Sequence, residues 1–154
     1  MPYNPRAIDE SDRSHQYRMM WLGAGGTLFT TANLFVGMDN FLSAMAFGAM
    51  AGGPMSVAFG SRNDEYLRSL MDVGLRWMSA VLGAYLFVLF FMRTIDAAHG
   101  LGFAFGSGAM PEPSDTPQWL IANGLAAAIV LTLAFYGGFA FQYCRDHFTA
   151  VADA

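Results

Sequence analysis

The chain has 154 residues, of which 55% are hydrophobic and 13% charged, about half the ~25% charged share of soluble domains. A net charge of -4 and the lack of a basic stripe exclude a nucleic-acid footprint. The single cysteine, Cys144, excludes an intrachain disulfide, a CxxC redox pair or a thiolate metal cluster. What the composition predicts instead is an all-α polytopic membrane protein, one domain over residues 1–154 with four transmembrane helices.

Residues 1–18 form a polar tail with Pro2, Pro5, Asp9, Glu10 and Asp12, in which Ser11 or Asp12 caps a short helix running towards the membrane. Arg13 and Arg18 followed by an apolar run, with Ala44-Met45-Ala46 further on, imitate a secretory leader. The long acidic tail ahead of the run predicts a permanent anchor instead. The first span is expected over residues 19–38, softened by Thr27, Thr30, Thr31 and Asn33, with a turn at Asp39-Asn40. The second covers about 41–59, and Gly52-Gly53-Pro54 within it predicts a kink or a re-entrant break.

Between Ser61 and Asp72 the polar residues Arg62, Asn63, Asp64, Glu65 and Arg68 face away from Tyr66, Leu67, Leu70 and Met71. This pattern predicts a cytoplasmic interfacial helix leading into a third span at about 73–92. An outer loop is expected over 93–117, because Gly100 to Gly108 and Pro111 to Pro117 are dense in helix breakers. The fourth span follows over about 118–142 and closes at Arg145-Asp146.

Seven of the eight arginines fall on one side of this layout and Arg93 alone on the other, which predicts a bacterial inner membrane protein with both termini cytoplasmic. Trp21 and Trp77 then sit near the inner boundary and Trp119 near the outer one. Helices in lipid associate through small residues, and Ala44, Gly48 and Gly52, with Ser79 and Gly83 on the third span, are the expected packing positions. Asp64, Arg68, Asp72 and Arg76 recur every four residues as a charged ladder, expected to pair along one helix or to serve as a docking surface.

No reaction centre emerges. His15, His99 and His147 all lie outside the expected spans, which argues against a bis-His haem in the bilayer, and no hydrolase, zincin or nucleotide motif is present. The expected function is that of a non-catalytic, non-enzymatic subunit of a larger inner-membrane complex, its partners being the lipid bilayer and other membrane subunits or copies of itself. One alternative is a small oligomeric transporter or channel with a polar path of Thr27, Thr31, Asn33 and Asp39. The other is a subunit holding a hydrophobic cofactor between the third and fourth spans. No cofactor is predicted outright, with a bound lipid, quinone or carotenoid as the candidates.

Overall fold

The structure, a computed structural model, describes residues 10–38, 40–59, 64–108 and 123–152, apart from the side chains at 57, 58, 96, 103 and 150–152. Those residues form α-helices and no strand: α1 is Glu10–Val36, α2 Phe41–Phe59, α3 Glu65–Ser107 and α4 Gly124–Ala152. The fold is all-α, and α3 and α4 are long and apolar enough to cross a membrane. The expected Asp39 turn position, Ser61, Arg62, Asn63, Trp119 and the proline-rich 111–117 stretch lie outside the described residues.

The helix ends follow from local chemistry. Glu10 and Asp12 place negative charge at the positive end of α1. Its other end stops at Gly37, which adopts a left-handed φ of 68°, a conformation open to glycine at no steric cost. The Asn33 side chain then clasps the turn, accepting the Met38 N–H at 2.8 Å and donating to the Met38 carbonyl at 2.9 Å. Asn40 starts α2 with a reciprocal cap: its Oδ1 accepts the Ser43 N–H at 3.0 Å, and its own N–H donates to Ser43 Oγ at 3.3 Å.

Paired contacts fix the directions. Ser56 meets Met20, and Gly26 meets Ala46, so α1 and α2 are antiparallel. Tyr66 meets Asp146, and Gly74 meets Phe135, so α3 and α4 are antiparallel too. Helix α4 links the two pairs, with Trp21 of α1 edge-on to Phe139 and Tyr143 at centroid separations of 5.7 and 5.6 Å. The starts of α1 and α3 and the ends of α2 and α4 therefore share one end of the bundle. The main core lies towards that end: Met20, Leu67, Leu70, Met71, Phe135, Tyr136 and Phe139 are all buried together.

Two expectations are corrected here. The segment 61–72 and the third span do not meet at a turn; from Glu65 they are one helix, which continues through the expected loop as far as Ser107. Each interior glycine weakens a helix by only about 1 kcal/mol, and Gly100, Gly102 and Gly106 alternate with Leu101, Ala104 and Phe105 without an intervening proline. The stop comes at Gly108, whose left-handed φ of 68° lets its N–H reach the Ala104 carbonyl at 3.0 Å. At ~1.5 Å per residue α3 is about 64 Å long, roughly twice the ~30 Å hydrocarbon thickness.

The second correction concerns helix packing. Ala44, Gly48 and Gly52 are exposed, as are Ser79 and Gly83, and the space beside the three glycines is open. Helix α2 meets α1 through its other face, where a Cβ at Gly26 would come within 2.6 Å of the Ala46 carbonyl oxygen and 2.9 Å of Ala49 Cβ. Between α3 and α4 the close approach is at Gly74 and Gly138, where added Cβ atoms would meet the Phe135 carbonyl oxygen at 2.7 Å and the Trp77 ring at 2.9 Å. Four-residue spacing identified a small-residue stripe, but spacing alone does not say which of two such faces the partner takes. Gly26→Ala should lower thermal stability in detergent by about 1–3 kcal/mol through overpacking. Gly48→Ala should leave the monomer's stability unchanged or up to about 1 kcal/mol higher, from helix propensity.

Candidate functional site

The polar centre of the bundle is the Tyr136 hydroxyl. Pro54 stands inside α2, where it lacks an N–H and its ring crowds the carbonyl four residues back, that of Met50. That carbonyl has lost its ordinary helical donor. Tyr136 supplies one: its hydroxyl donates to the Met50 carbonyl at 3.2 Å and accepts the Gly53 N–H at 3.1 Å. Gly23 of α1 and Gly53 of α2 flank this hydroxyl so closely that a methyl group at either would overlap it. One phenol thus ties α1, α2 and α4 at a buried point, with Tyr136 only 4% exposed. The expected re-entrant break at Gly52-Gly53-Pro54 does not occur, since α2 runs unbroken from Phe41 to Phe59, and nothing in the sequence pointed to a residue 82 positions beyond Pro54 as the partner of the Met50 carbonyl.

Polar groups gather at the end where α1 and α3 begin. Arg13 donates to Asp64 Oδ2 through Nη2 at 2.8 Å and Nε at 3.1 Å, joining the two helix starts. Tyr66 donates to Asp146 Oδ2 at 3.2 Å, and Gln142 donates to the same carboxylate at 2.8 and 3.1 Å. The ladder expected along α3 does not form as a ladder. Asp64 turns to α1, while Arg68, Asp72 and Arg76 are exposed and, among the described residues, have no ion pair within 4.0 Å. Asp64 also makes no side-chain cap to α3, its carboxylate being engaged by Arg13.

The expected polar path fares differently at each residue. The Thr27 hydroxyl is buried and donates to the Gly23 carbonyl at 2.9 Å, and Thr31 donates to the Thr27 carbonyl at 2.7 Å, so both spend their donors on their own helix. Asn33 is held by Met38, and Asp39 lies outside the described residues. The hydroxyl that does not follow this habit is that of Thr30, which is 9% exposed and has no hydrogen-bond partner among the described residues. Thr30 borders a cavity of about 310 Å³ together with Asn33, Asn40 and Ser43, but its hydroxyl oxygen is shut off from that space. A second cavity, about 280 Å³ and almost wholly apolar, lies between α3 and α4 against Val81, Tyr85, Ala127 and Val130. Among the described residues no three His, Cys, Asp or Glu side chains converge. Comparison with protein-family models, characterised proteins and solved structures finds no match for this chain.

Tyr136→Phe should destabilise the protein by about 1–3 kcal/mol, because the Met50 carbonyl is left buried without a donor. Pro54→Ala restores a backbone N–H at residue 54, so the double variant should lose much less than the two single effects summed, a non-additivity read by thermal unfolding. Before the expected third span, burial and then the Asp146 carboxylate push the Tyr66 phenol up from 10.0 to about 12. The neutral phenol is the form favoured by folding, so its contribution is intact below pH 10.0 and lost as pH rises through about 12. Stability measured against Tyr66→Phe across that interval should show the wild type losing ground, while ultraviolet titration of the wild type minus that of the variant should show one phenol ionising at about 12.

Proposed function

We propose that the chain crosses the inner membrane of a bacterium four times, with both termini in the cytoplasm, and serves as a non-catalytic subunit that docks other membrane proteins. The observation that carries this is α3. Leu86, Phe87, Phe90, Phe91, Ile95, Leu101 and Phe105 are all exposed along it, Phe105 to 90%. Lipid tails cover such residues over ~20 positions of a spanning helix, but α3 holds 43 residues. The apolar remainder beyond the span calls for a protein surface, since soluble monomers rarely leave apolar patches beyond a few hundred Å² in water.

Other features support the same reading. Trp21 and Trp77 both pack against α4 between Gly138 and Tyr143, at one level of the bundle, as a boundary pair would. Arg13, Asp64, Tyr66 and Asp146 meet at the end assigned to the cytoplasm. The outward Ala44, Gly48 and Gly52 stripe offers a neighbouring helix a close approach. A role in binding a hydrophobic cofactor is the alternative, favoured by the apolar cavity between α3 and α4. A channel draws less support, because Thr27 and Thr31 turn their hydroxyls onto α1.

Purification of the full chain in a mild detergent, followed by light scattering and mass spectrometry, tests the proposal. Other membrane subunits should travel with it at fixed stoichiometry, and Gly48→Leu should release them without lowering the stability of the chain alone. Isolation as a symmetric homo-oligomer would favour the channel, and quinone or pigment in the purified protein would favour the cofactor role. Reporter fusions should place both termini in the cytoplasm.

A further inference from the structure

We propose that the face of α3 carrying Asp72 and Arg76 binds the headgroup of phosphatidylethanolamine in the cytoplasmic leaflet, Arg76 holding the phosphate and Asp72 the amine. The inference rests on the membrane reading above and adds to it one lipid class and the two residues that select it. Its starting point is a pair of charges that the protein itself leaves unanswered. The third span begins at about residue 73, so Arg76 stands three residues inside it, next to the boundary residue Trp77. A charge without a counter-ion at that depth is expensive. Yet Asp72 and Arg76 are both exposed, and neither has an ion pair within 4.0 Å among the described residues.

The order of the charges says what kind of headgroup covers them. Positions 72 and 76 lie on one face of the helix, a turn of about 6 Å apart along its axis. The start of α3 belongs to the cytoplasmic end of the bundle, so Asp72 is the outer of the two and Arg76 the inner. Side chains on a helix lean towards its start. The Arg76 stem therefore lifts its guanidinium towards the headgroups while its methylenes stay in apolar surroundings. A diacyl lipid carries its phosphate next to the glycerol and any amine further out, so an inner cation and an outer carboxylate match it in order. Guanidinium binds phosphate through paired N–H donors, and a primary ammonium has three N–H donors for a carboxylate. Phosphatidylglycerol offers Asp72 no cation, and the quaternary amine of phosphatidylcholine offers it no N–H. Arg68, one turn further out, also makes no ion pair with Asp72.

The same face has room for the lipid's chains. Inward from Arg76 it continues through Ser79, Ala80 and Gly83, all small and all exposed, and the space beside Gly83 is open. Leu67, Leu70, Met71 and Gly74, on the opposite face, are the residues buried against the rest of the bundle. An acyl chain laid along this shallow channel covers positions that no described helix covers, as far as the exposed ring of Phe87 one turn beyond Gly83.

The test uses the full-length chain stripped of lipid in detergent. It is then supplied with phosphatidylethanolamine, phosphatidylglycerol or phosphatidylcholine of identical acyl chains, or with glycerophosphoethanolamine, the same headgroup without chains. Native mass spectrometry reads retention, and thermal unfolding reads the stabilisation that each compound confers. Phosphatidylethanolamine should bind about fivefold more tightly than either other lipid, the upper range for one exposed ion pair. Asp72→Asn should erase that preference, and Arg76→Gln should weaken the binding of all three lipids. Both variants, stripped of lipid, should unfold with the stripped wild type, and a lower unfolding temperature would overturn the proposal by showing a structural use for these charges. Equal retention of the three lipids by the wild type would overturn it, as would a preference that survives Asp72→Asn. Preference for phosphatidylglycerol would show a plain cationic patch, and equal stabilisation by glycerophosphoethanolamine would show a soluble ligand; either result overturns it. So would loss of a co-purifying subunit from Arg76→Gln with lipid retention unchanged, which assigns the face to a protein. Failure of the chain to enter bilayer vesicles at all would instead refute the membrane reading beneath it.

Discussion

The architecture depends on one backbone carbonyl that cannot be satisfied by its own helix. Pro54 takes away the donor that the Met50 carbonyl needs, and at this buried point no water stands ready to replace it. The Tyr136 hydroxyl closes this gap from α4, and in doing so fixes how near α1 and α2 must come. Gly23 and Gly53 are small because the phenol occupies the space their side chains would fill. Around this point the core is aromatic and tight, with Phe135 against Tyr136 at a centroid separation of 5.1 Å and Trp21 closing over Phe139.

The consequence is an unequal molecule. One end is drawn together by Tyr136, by the apolar cluster and by the Arg13 and Tyr66 contacts to the two aspartates. Towards the other end the helices separate, leaving one cavity beside Thr30 and another between α3 and α4. Helix α3 continues outward as an apolar rod. The tight end accounts for the stability of the fold and the loose end for its proposed capacity to receive protein partners. Proteins commonly divide these tasks between regions of different local packing.

Helices and their order were legible in the sequence, as were the two ends that flank the α1–α2 turn, whereas α1 starts at Glu10 ahead of the expected 19, and α3 and α4 run to Ser107 and Ala152, past the expected 92 and 142. Hydropathy located the apolar runs, and the Asn33, Asp39 and Asn40 cluster marked a turn whose described members, Asn33 and Asn40, cap and clasp it. Pro54 was equally plain, but the helix runs through it instead of breaking. What could not be read was which face each helix turns inward. Ala44, Gly48 and Gly52 and the buried face with Gly53 are both small and both helical in spacing, and only the position of Tyr136 decides between them. Glycine density misled over 100–108, because isolated glycines weaken a helix without ending it. Asp64 was likewise assigned to a partner on its own helix, when the stronger pairing came from Arg13 at a separation of 51 residues, a distance that spacing rules do not reach. Thr30 resembled its neighbours in every local respect and differed only in what surrounds it.

Lipid as the solvent for the outward faces is the claim on which the proposed function stands. Spin labels placed singly along α3 from Arg68 to Phe105, with the protein in bilayer vesicles, measure it most directly through collision with dissolved oxygen and with a water-soluble nickel complex. Outward positions from about Val73 to Met92 should favour oxygen, rising to a maximum near Leu82 and Leu86, while Arg68 favours nickel. Nickel access that stays high and level across Leu82, Leu86, Phe87 and Phe90 would place those residues in water and contradict the account.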